Sequence, residues 1–477
     1  MKLPALGSIV GTETVNSDLV FKVVNPATGD TICTLTSANA EIVTKAVESS
    51  RDTYSNIWRE SSLGKRQKLL KSFCNVLSAN KDRFAELESC ENGVPINIVK
   101  QFSASALVKN MEFYASLIDK VSGEVIATTA NNALDYVLYV PFGIAAIITA
   151  YNTPSLFLGS KAGPALCAGN VVIIKPSPMA SLPALLFGEL ALEAGIPPGV
   201  INVIVGDSHT SKLLVSNPEV DIISFTGSKQ AGVEVATLAG KNLTPTILEL
   251  GGKSPSIIFG DADLDAAAFS SALGAFGLSG QACVAASRIY VSRDVYDEFL
   301  TKFVSITRHF KIGDPSNPET VLGPLISKEH KQSVVKAVNT LVKHGAQIVT
   351  GPEDLTYEGT FMSPTILSSV NDSSELTDLE MFGPVTTVQA FDSEEEAVAK
   401  ANRTSYGLGA AVWTKDLSRA HRVASKVEAG TVWINTYGTI PHTAPFGGFK
   451  DSGYGREGGK WGLYGFLQSK NIYINLA

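Results

Sequence analysis

Apolar residues recur at the three- and four-residue spacing of a helix face over residues 40–54, 63–78 and 81–91, with few breakers, and the pattern predicts three helices there. Residues 135–140 alternate instead, with Tyr136, Leu138 and Val140 on one face, which predicts a strand. Its shortness and the Pro141 and Gly143 that follow mark it as a sheet edge pairing elsewhere. From Gly143 the pattern changes. Short runs that are apolar nearly throughout, at 144–149, 171–175, 200–205, 220–225 and 245–249, are separated by helix-like stretches. In one of these Ser181 caps an apolar face of Leu182, Leu185, Leu186 and Leu190, and Gly195 ends it; Ser211 opens a short helix, and 229–238 form another. Continuous apolar strands alternating with helices imply a parallel sheet covered on both faces, which binds ligands at the carboxyl ends of its strands.

A second alternation follows Gly251-Gly252. Strands are expected at 256–259 and 288–291, and helices at 263–278, 295–308, 328–344, 394–402 and 417–427. Residues 470–476 alternate again. The expected fold is α/β, with two doubly wound parallel-sheet domains and a small β element made from the two isolated strands, which extends a sheet between protomers.

The bulk properties narrow the function. A chain of 477 residues is too long for one core. The net charge of −7 without a long basic run speaks against nucleic acid. The longest apolar stretch, 137–151, is interrupted and too short to span a bilayer, and the first residues lack a signal-peptide core, so no membrane partner is expected. Five scattered cysteines (Cys33, Cys74, Cys90, Cys167 and Cys283) fit reduced thiols in a cytoplasmic protein. No pair has zinc-ligand spacing, and no metal site is expected.

Two motif matches fail on context. Gly453-x-Gly455-x-x-Gly458 follows a loop and leaves no room for a βαβ unit. Gly252-Lys253-Ser254 lacks the first glycine of a phosphate loop, because Ile247 stands in its place. Other positions carry more. Phe225-Thr226-Gly227-Ser228 joins an apolar strand to a helix N-terminus, which suits an anion as well as it suits an ordinary cap. Lys175 ends an apolar strand, where it is either solvated or set to hold a ribose or phosphate. Cys283 is either a small buried apolar side chain or a nucleophile, and Glu249 either a paired strand end or a general base. Asn152 is either a turn residue or an amide donor to an oxyanion.

Taken together these segments resemble the aldehyde dehydrogenase superfamily, in the family's order and over nearly the whole chain. The resemblance is carried by Tyr151-Asn152-Thr153-Pro154, 169–177 ending in Lys175-Pro176-Ser177, Phe225-Thr226-Gly227-Ser228, Glu249-Leu250-Gly251-Gly252-Lys253, Gly280-Gln281-Ala282-Cys283, 380–385 and 445–453. It implies that Cys283 is the nucleophile, that Asn152 and the Cys283 backbone N–H hold the oxyanion, and that Glu249 activates water for deacylation. It also implies an accessible thiolate that needs no histidine. It implies NAD or NADP, with Lys175 and Ser177 at the adenosine ribose and Phe225, Thr226, Gly227 and Ser228 at the pyrophosphate. Glu380 is implied at the nicotinamide ribose, with Phe382, Gly251, Ile148 and Tyr151 beside it. A homodimer or homotetramer is implied, with residues 1–118 and 142–250 binding the cofactor, 251–455 forming the catalytic domain, and 119–141 with 456–477 joining the subunits.

Two departures bear on specificity. Pro178 stands where NAD-preferring members carry an acidic residue, so NADP is expected to be accepted as well. Thr153, Ser160 and Gly277 are small where many members are bulky, while Phe157, Tyr437 and the stretch 435–443 with His442 supply walls; a roomy pocket for a bulky or aromatic aldehyde is expected. A coenzyme A-acylating enzyme typically lacks the glutamate at position 249, so hydrolysis is the leading expectation. A cysteine esterase and a binding protein that has lost catalysis are the rivals.

Overall fold

The computed structural model describes residues 2–352, 359–370 and 378–476. Two sheets organise it. In the first, Ile201–Val203, Val171–Lys175, Ile144–Ile148, Ile222–Thr226 and Thr246–Glu249 lie side by side and parallel. These strands are apolar along their length because helices cover both faces. Antiparallel strands close the edges: Ser8–Val10 and Glu13–Val15 on one side, Gly453–Tyr454 on the other. The second sheet is parallel through Thr365–Ser368, Val385–Phe391, Arg288–Ser292, Pro255–Ile258, Gly409–Trp413 and Thr431–Ile434, with Gln347–Thr350 antiparallel at its edge. The α/β expectation holds for both.

The helices Ala40–Thr53, Leu63–Ala79 and Lys81–Asn92 stand where the periodicity put them. The pattern passed over Ala104–Leu117 and the helical stretch 154–168; the latter is buried on nearly all sides, which leaves no polar face to give a period.

Three expectations are corrected. Ser181 does not cap its helix, Leu182–Glu193: its hydroxyl donates to the Ser177 carbonyl (3.0 Å), and the N–H groups of Ser181 and Leu182 go to the Glu91 carboxylate (2.7 and 2.9 Å). The next helix begins at Ser208 rather than Ser211, because the Asp207 carboxylate accepts from the N–H groups of His209 and Thr210. The strand Ala133–Pro141 is no edge. It pairs with Leu467–Asn475 on one side and Glu124–Ile126 on the other, so the two isolated strands meet within one chain. The Gly453–Gly458 motif forms the last strand of the first sheet and the turn after it.

Candidate functional site

Strand register sets one wall of the site. Ile148 lies opposite Lys175, Phe225 opposite Ile148, and Thr226 opposite Glu249, so the carboxyl ends of four parallel strands present these side chains along one edge. The chain then turns through Gly251 and Gly252 into the first strand of the second sheet. Both glycines stand in close approach to other segments. A Cβ on Gly251 would overlap the Glu380 carboxylate, and one on Gly252 the Cys283 carbonyl oxygen. The two sheets therefore meet with Cys283 between them.

Leu278, Ser279 and Gly280 hold positive φ angles of 54°, 55° and 71° in the turn before Cys283. Gly280 has no alternative, since a Cβ there would overlap the Gly383 carbonyl. Ser279 steadies the turn by donating to the Gly323 carbonyl (2.8 Å). Asn152 reaches the same turn, its Nδ2 donating to the Gln281 carbonyl (2.9 Å). Gln281 itself accepts from Ile326 N (3.0 Å). Cys283, Glu249 and Asn152 are thus brought together from three separate segments.

Cys283 and Glu249 both line a cavity of about 390 Å³. Its walls include Leu156, Phe157 and Phe446, half-buried His442, and exposed Phe102, Lys109, Ile440 and Pro441. Neither Glu249 oxygen has a hydrogen-bond partner among the described residues, although the side chain is buried. Burial first, and then the neighbouring Glu457, push its carboxyl well above the usual range; Lys161 and Arg456 pull the other way. Burial and the charges of Glu249 and Glu380 push the Cys283 thiol up to about 12. The resting thiol therefore carries its proton at neutral pH, contrary to the accessible thiolate expected. That proton leaves into a cavity where Glu249 is the carboxylate acting most strongly on it.

The remaining strip is suited to a phosphorylated, ribose-bearing ligand. Lys175 is buried at its strand end, and burial lowers its ammonium to about 8. The Thr226 hydroxyl is buried without a partner among the described residues. Ser228, exposed, caps the helix Lys229–Gly240 by accepting from Ala231 N (3.3 Å). Ser177 accepts from Met179 N (3.3 Å) in the loop after Lys175. Glu380 accepts from Gly252 N (3.0 Å), and the Phe382 ring stands edge-on to Tyr151 at 6.0 Å.

Residues 14–472 match the Aldehyde dehydrogenase family. The chain belongs to that family. Betaine aldehyde dehydrogenase of Vibrio vulnificus (strain CMCP6) is 38% identical over 96% of this chain and 94% of its own. The 2-aminomuconic semialdehyde dehydrogenase of Danio rerio is 37% identical over 99% of each. Among solved structures, betaine aldehyde dehydrogenase of Staphylococcus aureus in complex with NAD+ superposes with a TM-score of 0.96 at 32% identity, covering 99% of this chain and 95% of that one.

In this aldehyde dehydrogenase, three of the six residues expected around the substrate line the cavity: Phe157, Ser160 and His442. The other three lie outside that lining. Tyr437 turns its hydroxyl to the Val284 carbonyl (2.8 Å) and packs on Trp433, behind the cysteine turn. Thr153 is buried at the N-terminus of the 154–168 stretch. Gly277 ends the helix Leu264–Phe276, with open space where a Cβ would stand.

The sequence reading missed a buried ion pair beside the site. Lys161, fully buried, bonds to Glu457 and donates to Ser224 Oγ (3.1 Å), while Ser160 donates to the other Glu457 oxygen (3.2 Å). A lone lysine in the otherwise apolar 154–168 stretch was the available signal, because such a charge needs a partner. Among the described residues no cluster able to hold a metal is present, and no helix is long and apolar enough to cross a membrane.

Proposed function

We propose that this dehydrogenase converts an aldehyde to a carboxylic acid through an acyl group carried on Cys283. The observation behind this is that Cys283 and an unpartnered, buried Glu249 open into one cavity, with Asn152 tied to the same turn. Cys283 gives its thiol proton to water as Sγ bonds to the aldehyde carbon, and the Asn152 amide and the Cys283 backbone N–H stabilise the charge on its oxygen. Bound along the Lys175–Ser228 edge, NAD or NADP supplies the two-electron acceptor that the oxidation needs. The acyl group then remains on sulfur as a thioester. Glu249 takes a proton from the water that attacks it, and the acid leaves with the thiol restored. The presence of Glu249 favours hydrolysis over transfer to coenzyme A; adding coenzyme A should leave the product a free acid.

The cofactor reading has its own test. Pro178, half-buried beside Ser177, neither grips ribose hydroxyls nor repels a 2′-phosphate. NAD and NADP should differ in kcat/KM by less than about a hundredfold, or ~2.7 kcal/mol. A larger preference for NAD contradicts the reading.

The substrate is read as bulky or aromatic. The apolar walls and the volume support this, since small-ligand sites begin at about 300 Å³. Of the three small residues expected to make room, Ser160 lines the cavity. Benzaldehyde should be turned over faster than acetaldehyde at equal concentration, and the reverse order would refute a roomy pocket.

Glu457 raises the Glu249 carboxyl, and a carboxylate serves as base only when ionised, so activity should fall as pH drops through the raised Glu249 value. Glu457→Gln removes the repelling charge, which favours ionised Glu249. The acidic limb of the kcat profile should move to lower pH, and an unmoved or upward-moved limb would show that the coupling is unimportant.

The chain is read as cofactor-binding (1–118, 142–250), catalytic (251–455) and subunit-joining (119–141, 456–477) parts. The three-stranded sheet supports the last role: its outer strands carry exposed Val125 and Tyr473. Light scattering should return a dimer or tetramer mass. Free cysteines among the described residues fit a reducing, cytoplasmic setting.

A further inference from the structure

The helix Lys81–Asn92 ends in three buried polar side chains that the chemistry above does not use. Glu88 is 0% exposed, and Glu91 and Asn92 are each 1% exposed. Neither carboxylate forms an ion pair among the described residues. Each is turned onto backbone N–H groups of another segment. Glu88 Oε2 accepts from Ser155 N (3.1 Å) and from Ser103 Oγ (2.9 Å), and Ser103 Oγ in turn accepts from Leu156 N (3.2 Å). Asn92 Nδ2 donates to the carbonyls of Tyr151 (3.0 Å) and Asn152 (3.3 Å). The segment 151–156 is thereby held from both sides, its carbonyls by Asn92 and its N–H groups by Glu88 and Ser103. This segment carries the Asn152 amide and the cavity wall at Leu156.

One helical turn along, Glu91 holds a different loop. Its two oxygens accept from Ser181 N (2.7 Å) and Leu182 N (2.9 Å), and Ser181 is bonded back to the Ser177 carbonyl. That loop follows Lys175 and carries Ser177. Burial pushes Glu88 up to about 7 and Glu91 up to about 8, the mark of carboxyl groups kept in the interior for their hydrogen bonds rather than for a counter-charge.

The geometry points to the buried end of this helix as the brace that sets the oxyanion amide and the cofactor loop in fixed relation. Glu88 and Asn92 position the 151–156 segment, and Glu91 positions the 177–182 loop. This rests on the reading of Asn152 and Lys175 given above. They are positioning residues, since none of the three lines the cavity. A misplacement of about 1 Å at such a segment is enough to cost roughly a hundredfold in rate.

The two carboxylates should therefore fail in different ways. Methionine matches glutamate in length and accepts no comparable hydrogen bond. Glu88→Met should slow the first turnover of reduced-cofactor formation by about tenfold or more at saturating NAD, with the NAD dissociation constant within about twofold of wild type. Glu91→Met should raise that constant about fivefold or more, with first-turnover rate at saturation within about threefold. Glu88→Gln keeps one acceptor oxygen for Ser155 N and Ser103, and should return to within about threefold of wild type. Stopped-flow absorbance and calorimetric titration with NAD read the two quantities. A general packing role would move rate and affinity together in both variants, and that result overturns the inference, as does a wild-type first turnover in Glu88→Met. If Glu88→Met does not fold, Ser103→Ala carries the same expectation and the same refutation. Failure of the underlying reading shows separately, as a wild-type enzyme with no first turnover of NAD at all.

Discussion

Cys283→Ala should abolish aldehyde oxidation, with a loss on the order of 10⁴-fold or more, while NAD binding and the melting temperature stay close to wild type. The size follows from the chemistry: without sulfur the thioester that the reaction passes through cannot form. Of the five cysteines, only Cys283 opens into the cavity, and Cys74 and Cys167 are buried elsewhere. Selectivity toward alkylation should follow the thiol's environment. Burial together with Glu249 and Glu380 raises it to about 12, so labelling of the resting enzyme at neutral pH should be slow and should speed up with rising pH. Rapid, pH-independent labelling would show that a neighbouring group ionises the thiol in a way these charges do not allow. Serine in the same place should not rescue turnover, since a hydroxyl in this low-dielectric setting beside two carboxylates ionises even less readily.

Glu249→Gln separates the two halves of the reaction. The first turnover should survive within about tenfold, because glutamine removes a negative charge that holds the thiol protonated. Steady turnover should fall by about 10² to 10³-fold, the usual contribution of a general base. The acidic limb of the pH profile should vanish with the carboxylate. Unchanged steady turnover would remove Glu249 from the mechanism.

The parts of this account that were legible in the sequence are those that local pattern encodes. The apolar runs ending in Lys175, Thr226 and Glu249 gave both the parallel sheet and the edge where a cofactor belongs, because a strand buried on both faces must be apolar throughout. The strands Ser8–Val10 and Glu13–Val15 were invisible, since three residues are too few to show a period. The partners of the site were illegible for another reason. Lys161 and Glu457 lie 296 residues apart, and nothing local announces that they meet. The helix carrying Glu88 and Glu91 is legible, but their burial is not, because their acceptors are needed at loops 67 and 90 residues away. Tyr437 shows another long-range tie that the sequence does not announce: its hydroxyl donates to the Val284 carbonyl.

The most direct test of the central claim is mass spectrometry of the Glu249→Gln enzyme, quenched after mixing with aldehyde and NAD. The peptide carrying Cys283 should gain the mass of the aldehyde less two hydrogens, and hydroxylamine should remove it, as expected of a thioester. An unmodified Cys283 in an enzyme that still reduces NAD, or the same adduct on another cysteine, would contradict the account.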